Sequence, residues 1–335
     1  MAAMMGDYAR VTRRAVKRYL ANDRPAPFLD ELVADYPGRG GKMMRPSICI
    51  ANARVFGGRL EEAVQSAAAI ELLHNALLIH DDIQDGSQMR RGRPTLHALH
   101  GVPLAINAGD ALMLLALRPL LDTLRDHDRD LAQRILAITL TMGRETAEGQ
   151  ALELGWRDGA AVELEESDYL TMVLKKTAWL ATIWPAQLGL LIGSDGRADP
   201  DLVTRFGFFL GAAFQIEDDL RNLSDDPGYG KERNGDLFEG KRTLMLIHVR
   251  RTCRRAERLE IDRFLATPRE RRPLDQADWL AGLMRRYGSL DYARSVAAAM
   301  AGAAAHEFDL TYGDLPSSPD RAFIRGLVPW IFTHS

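Results

Sequence analysis

Apolar residues recur at spacings of three and four along most of this chain. The pattern runs through 46–56, 62–79, 104–124, 129–154, 168–193, 201–223 and 241–265, then through 276–308 and 318–332. That period predicts amphipathic α-helices. No stretch alternates with the period of two that a half-buried strand needs. The interruptions carry turn chemistry: Pro37-Gly38-Arg39-Gly40-Gly41, Gly86 to Pro94, Trp156-Arg157-Asp158-Gly159, Gly193-Ser194-Asp195-Gly196 and Asp225 to Gly235. No linker, repeat or shift of composition cuts the sequence. Residues 1–335 are therefore expected to form a single all-α domain, a bundle of antiparallel helices.

Segments 62–79 and 201–223 are apolar nearly all round, which places them inside the bundle. Each runs into an acidic cluster, Asp81-Asp82-Ile83-Gln84-Asp85 and Asp218-Asp219-Leu220-Arg221-Asn222. At 3.6 residues per turn the first and last members of a cluster share a face, with the middle Asp beside them. Two such groups repel unless a cation lies between them. Mg²⁺ takes few carboxylates and shares its other positions with water and phosphate oxygens. The expected donors are Asp81, Asp82, Asp85, Asp218, Asp219 and Asn222. Two buried helices ending this way imply a deep apolar cavity with a polar, metal-loaded mouth, suited to a greasy chain with an anionic head.

Composition narrows the class. Apolar residues make up 46% and charged residues 27%, which is globular, and a net charge of −3 argues against nucleic-acid binding. Cys49 and Cys253 stand alone in helix-like surroundings, giving neither a disulfide framework nor a metal-ligand spacing. A reducing cytoplasmic compartment and no membrane span are expected. Arg10, Arg13, Arg14, Lys17 and Arg18 are read as a charged surface helix, since Asp7 and Asp23 interrupt any targeting bias.

Cations accompany the acids. Lys42 and Arg45 stand three apart where a glycine turn leads into a helix, a setting that favours anions. His74 lies two turns before Asp81 on the same face, and Arg90 and Arg91 follow in a glycine-containing loop where neighbours can point to opposite sides. Lys176-Thr177 sits in an apolar helix, Gln215 one turn before the second cluster, and Lys231, Asp236 and Lys241 decorate the loop beyond it.

These motifs resemble the trans-isoprenyl diphosphate synthases. The match covers G-G-K-x-x-R-P at 40–46, H-x-x-x-L-x-H-D-D-x-x-D at 74–85, R-R-G at 90–92 and G-Q-x-x-E-L at 149–154. It continues with K-T at 176–177, F-Q-x-x-D-D-x-x-N at 214–222, and G-K at 230–231 and 240–241. The second cluster and residues 149–158 look most like geranylgeranyl diphosphate synthases.

The resemblance implies the isoprenoid synthase fold, a homodimer and three Mg²⁺ ions per site. It implies an allylic diphosphate held through Asp81, Asp85 and Asp218, with Arg90, Lys176 and Lys241 neutralising its leaving group and Asp82 and Asp219 supporting the metal shell. Isopentenyl diphosphate would meet Lys42, Arg45, His74 and Arg91, while Thr177 and Gln215 would face the allylic cation. Lys231 would join the diphosphate contacts. Asn222 departs from a third carboxylate, Met245 stands where many relatives have Pro, and the tail lacks a basic end. No ring occurs at Leu73, Ala76 or Leu77, the expected cavity floor, so growth would stop deeper, around Met113, Leu114 and Leu117. A C20 product is expected, with C25 as nearest competitor. A class I terpene cyclase would not need Lys42, Arg45, His74 and Arg91. A non-catalytic partner subunit would have lost acidic positions, whereas five of six remain. Helix 104–124 is the expected dimer face.

Overall fold

The computed structural model describes residues 1–22, 26–158, 163–224 and 234–334. Helices α1 (Ala2–Leu20) and α2 (Asp30–Gly38) precede the first periodic segment. Then come α3 (Met44–Val55), α4 (Leu60–Asp85), α5 (Leu96–His100), α6 (Val102–Leu115), α7 (Leu117–Arg125) and α8 (Arg129–Asp158). A continuous helical rod follows: α9 (Glu166–Val173), a π-helical stretch Leu174–Ile183, and α10 (Trp184–Gly193). Next are α11 (Thr204–Asn222), α12 (Gly235–Glu239), α13 (Leu244–Thr252) and α14 (Arg255–Ala266). The chain ends with α15 (Leu274–Arg286), α16 (Ser289–Tyr312) and α17 (Pro319–His334).

Periodicity located the helices better than their ends. The 241–265 segment is two helices, α13 and α14, and 276–308 divides into α15 and α16 at Gly288, whose φ of 68° ends the helical path. Segment 104–124 breaks at Ala116. Helix α2 escaped notice because it has nine residues and contains Pro37. The strands among the described residues are Met89–Arg90 and Arg93–Pro94, an antiparallel pair too short to show alternation.

Two helices position the site. The first turn of α4 carries Glu61 and Glu62, favourable at the positive end of the helix dipole, and Gly86 ends it in the left-handed region at φ 63°. No residue from 62 to 83 of α4, or from 206 to 220 of α11, is exposed, as all-round apolarity requires. Helix α4 runs between α3 and α6, and α11 between α16 and the π-helical stretch. That stretch ends just before Pro185, which has no N–H to return to the carbonyl four residues back, so the ordinary ladder fails there.

Read as one run, Val102–Arg125 is long and apolar enough, by length and composition only, to cross a bilayer. Here it is two helices, and 39% of its apolar window is buried.

Candidate active site

The acidic ends of α4 and α11 meet at one cavity of about 1020 Å³, lined by both Asp81 and Asp218. Asp81 receives Lys176 Nζ at 3.3 Å and Gln150 Nε2 at 3.4 Å. Lys176 also pairs with Glu153. Burial opposes the lysine's charge, but Asp81 and Glu153 outweigh it and raise its pKa. Asp219 accepts from the Tyr169 hydroxyl at 2.8 Å and from Gln215 Nε2 at 2.7 Å. Gln215 in turn accepts from Thr177 Oγ1 at 2.7 Å. Burial, then the neighbouring Asp236, push the Asp219 carboxyl up to about 8. A cation arriving beside it would reverse that.

Other expected residues take different positions. Asp82 is completely buried and does not line the cavity. A step of 100° along α4 turns it towards the Tyr36 hydroxyl at 2.5 Å and Arg90 Nε at 2.9 Å, so it anchors Arg90 instead of facing a metal. Asp85 is held by Arg157 Nη1 at 2.5 Å and Lys241 Nζ at 3.0 Å, and burial pushes its carboxyl up to about 6. Asn222 is buried, and its Oδ1 accepts the backbone N–H of Asp236 at 3.0 Å. It ties down the start of α12 and is not turned to the cavity. Lys231 lies outside the described residues.

The R-R-G motif has a local explanation. Arg91 and Gly92 form a two-residue hairpin loop with φ of 52° and 72°, the signature of a type I′ turn. A non-glycine residue there costs on the order of 1 kcal/mol and persists only where surroundings hold it. The two arginines diverge. Arg90 pairs with Asp82, while Arg91 donates to the Gly40 carbonyl and, at 3.5 Å, to that of Tyr36.

The charged lining thus falls into two electrostatic neighbourhoods. One joins Lys176 and Lys241 to Asp81, Asp85, Glu153 and Asp236. The other joins Lys42, Arg45 and Arg91 to Glu71 and Asp218. Arg45 is half-buried, desolvation lowers its pKa to about 10, and its buried Nε has no hydrogen-bond partner. His74 is driven well below its usual pKa by burial and by Arg45 and Arg91, so it is neutral. Lys42 lies 5.6 Å over the Trp330 ring, and partial desolvation lowers its pKa. A cation whose buried N–H is unsatisfied is a site awaiting an anion.

Below the charged mouth the walls are apolar. Leu73 and Leu77 line the cavity with Met113, Met142 and Leu180. Ala76 does not; it is buried among Leu72, Ala105, Ala108 and Leu112, where α4 packs on α6. Leu114 and Leu117 are 67% and 54% exposed and point away from the cavity. Tyr36, Glu71, Tyr169 and Trp330 were not foreseen. Glu71 precedes His74 by three residues on one helix face, a usable signal; the others had none.

Acids on two buried helices, a second cationic pocket and an apolar well together define an all-helical enzyme acting on prenyl diphosphates. The polyprenyl synthetase family model matches residues 26–277. A geranylgeranyl diphosphate synthase of Sulfolobus acidocaldarius is 35% identical over 283 residues, 84% of this chain and 83% of that one. The geranylgeranyl pyrophosphate synthetase of Pyrococcus horikoshii superposes with a TM-score of 0.87 at 28% identity, covering 100% of this chain and 98% of that one. A polyprenyl synthase of Caulobacter crescentus, complexed with calcium and isoprenyl diphosphate, gives 0.85 at 25% identity over 100% and 98%. The chain belongs to the polyprenyl synthetase family and has the all-α isoprenoid synthase fold. It is a trans-prenyl diphosphate synthase.

Proposed function

We propose that this enzyme joins isopentenyl diphosphate head-to-tail to an allylic diphosphate and releases a C20 product, geranylgeranyl diphosphate. The observation that carries this reading is the buried, unsatisfied Nε of Arg45 beside Arg91 and His74, in the same cavity as the acid-lysine group around Asp81. Two anionic groups can bind at one mouth. A terpene cyclase has no use for the second.

Among the described residues, no three acidic, His or Cys side chains enclose an ion by themselves. Hard oxygen donors that each take only part of a shell fit Mg²⁺, which keeps water and phosphate in the rest. Asp81, Asp85 and Asp218 would hold it, Asp85 by exchanging its present lysine and arginine partners. The bound ion supplies Lewis-acid neutralisation of the leaving diphosphate. Lys176 and Lys241 add positive charge where the allylic C–O bond breaks and its electron pair passes to the diphosphate. The oxygens of Thr177 and Gln215 face the resulting carbocation. The double bond of isopentenyl diphosphate attacks it, forming the new C–C bond. The proton lost from the adjacent carbon goes to the released diphosphate, so no protein nucleophile is needed.

Incubation with Mg²⁺, isopentenyl diphosphate and each of the C5, C10 and C15 allylic diphosphates should give a C20 product as the end point. A cyclic hydrocarbon from a single substrate would overturn the reading. Leu77→Phe, which places a ring in the apolar wall, should shorten the main product by at least one isoprene unit in the same assay. An unchanged length would put the floor elsewhere.

Pairing with a second copy is part of the proposal. Leu99 of α5, Leu114 of α6, Leu117 of α7 and Leu140 of α8 are 51%, 67%, 54% and 66% exposed, apolar side chains that a second copy could cover. Leu114→Glu should convert a dimer into a monomer in sedimentation analysis. A wild-type monomer would refute the pairing.

A further inference from the structure

Two arginines cross between neighbouring loops at the cationic pocket. From the hairpin, Arg91 reaches the Gly40 carbonyl, and its guanidinium lies so close to Gly41 that a Cβ there would stand 2.9 Å from Nη2. In return, Arg39 reaches from the glycine turn into the hairpin. Its Nη1 donates to the carbonyls of Arg90 at 3.1 Å and Arg93 at 3.4 Å, and its Nη2 to that of Pro94 at 2.8 Å. Its Nε meets Asp35 at 2.5 Å, and the guanidinium stacks 4.5 Å from the Tyr36 ring centroid.

The Arg39 side chain is only 1% exposed and its fork is committed to protein oxygens. Although Arg39 borders the cavity, its nitrogens are taken by protein oxygens, so it is placed to hold other groups. What it holds is the relation between the turn bearing Lys42 and Arg45 and the hairpin bearing Arg91. The two arginines of the hairpin depend on it unequally. Arg90 has its own anchor on buried Asp82. The hydrogen bonds of Arg91 go to Gly40 and Tyr36, which belong to the same α2–turn unit as Arg39.

We infer that Arg39 is a positioning residue for the isopentenyl diphosphate pocket, acting by stapling the glycine turn to the Arg90–Arg91 hairpin. The inference rests on the proposed condensation. Lysine cannot replace it, because one ammonium lacks the planar fork that reaches Asp35 and the hairpin carbonyls together.

The test is steady-state kinetics of Arg39→Lys and Arg39→Met, varying each substrate in turn, with melting temperatures measured in parallel. Charge-assisted hydrogen bonds of this kind set the scale: KM for isopentenyl diphosphate should rise by about tenfold or more, against less than about threefold for the allylic substrate. Asp35→Asn, which loosens both Arg39 and the hairpin's Arg93 without touching the cavity wall, should shift the same KM in the same direction by less. If an active wild type yields variants whose two KM values move together, or whose melting temperature alone falls, Arg39 is merely structural and the inference fails. A wild-type enzyme that does not condense the pair would instead remove the proposed function beneath it.

Discussion

Asp81→Ala should lower kcat by on the order of 10³-fold while leaving the fold intact, a magnitude typical of removing one preorganised charge from a reacting centre. Asp81 lines the cavity and is the acid on which Lys176 and Gln150 converge. Its side chain is 24% exposed, so its loss leaves no sealed void. Lys176 keeps Glu153 as a partner, which avoids the cost of a buried unpaired charge. Loss of turnover should therefore be accompanied by little change in melting temperature. The measurement is product formation against Mg²⁺ concentration. Wild-type turnover that extra metal does not restore in the variant is expected, and a drop below tenfold would show that Asp81 is peripheral.

Gly149→Ala is expected to be nearly as damaging although glycine has no chemistry. A Cβ at this position of α8 would stand 2.2 Å from the backbone nitrogen of Lys176 and 2.7 Å from the carbonyl carbon of Lys175. Backbone cannot swing aside as a side-chain tip can. The π-helical stretch must shift, and Lys176 and Thr177 travel with it. Overpacking of this kind costs about 1–3 kcal/mol of stability, whereas a misplacement near 1 Å costs about 10²-fold in rate. Turnover should thus fall far more than stability. Circular dichroism melts beside kcat decide it, and a variant with lost stability but normal turnover would show that the π-helical stretch tolerates displacement.

How much of this was visible in the sequence depends on distance along the chain. Asp81 and His74 lie two helical turns apart, so spacing alone set them on the cavity face of α4; Asp85, one turn beyond Asp81, does not line the cavity. The same spacing misjudged Asp82, because three to four residue periodicity does not say which neighbour waits on the adjacent face. That neighbour is Tyr36, 46 positions away, and Tyr169 stands 50 positions from Asp219. No local pattern links either pair. Segment 168–193 read as uniform helix because widening to a π turn leaves apolar spacing nearly unchanged; Pro185 was its one trace. Ala76 failed for a related reason. Its depth on α4 was legible, but the side on which α6 packs was not. The strained Arg91-Gly92 loop was legible as a turn, yet its role in parting two arginines needed coordinates.

Everything in the mechanism depends on Asp81 and Asp218 gripping one diphosphate through metal. The most direct measurement is calorimetric titration of an unreactive thio analogue of the C15 allylic diphosphate into wild type, Asp81→Asn and Asp218→Asn, each with and without Mg²⁺. Tight binding that requires Mg²⁺ in the wild type and collapses equally in both variants is expected. Binding indifferent to the metal, or undiminished in Asp218→Asn, would contradict the shared grip.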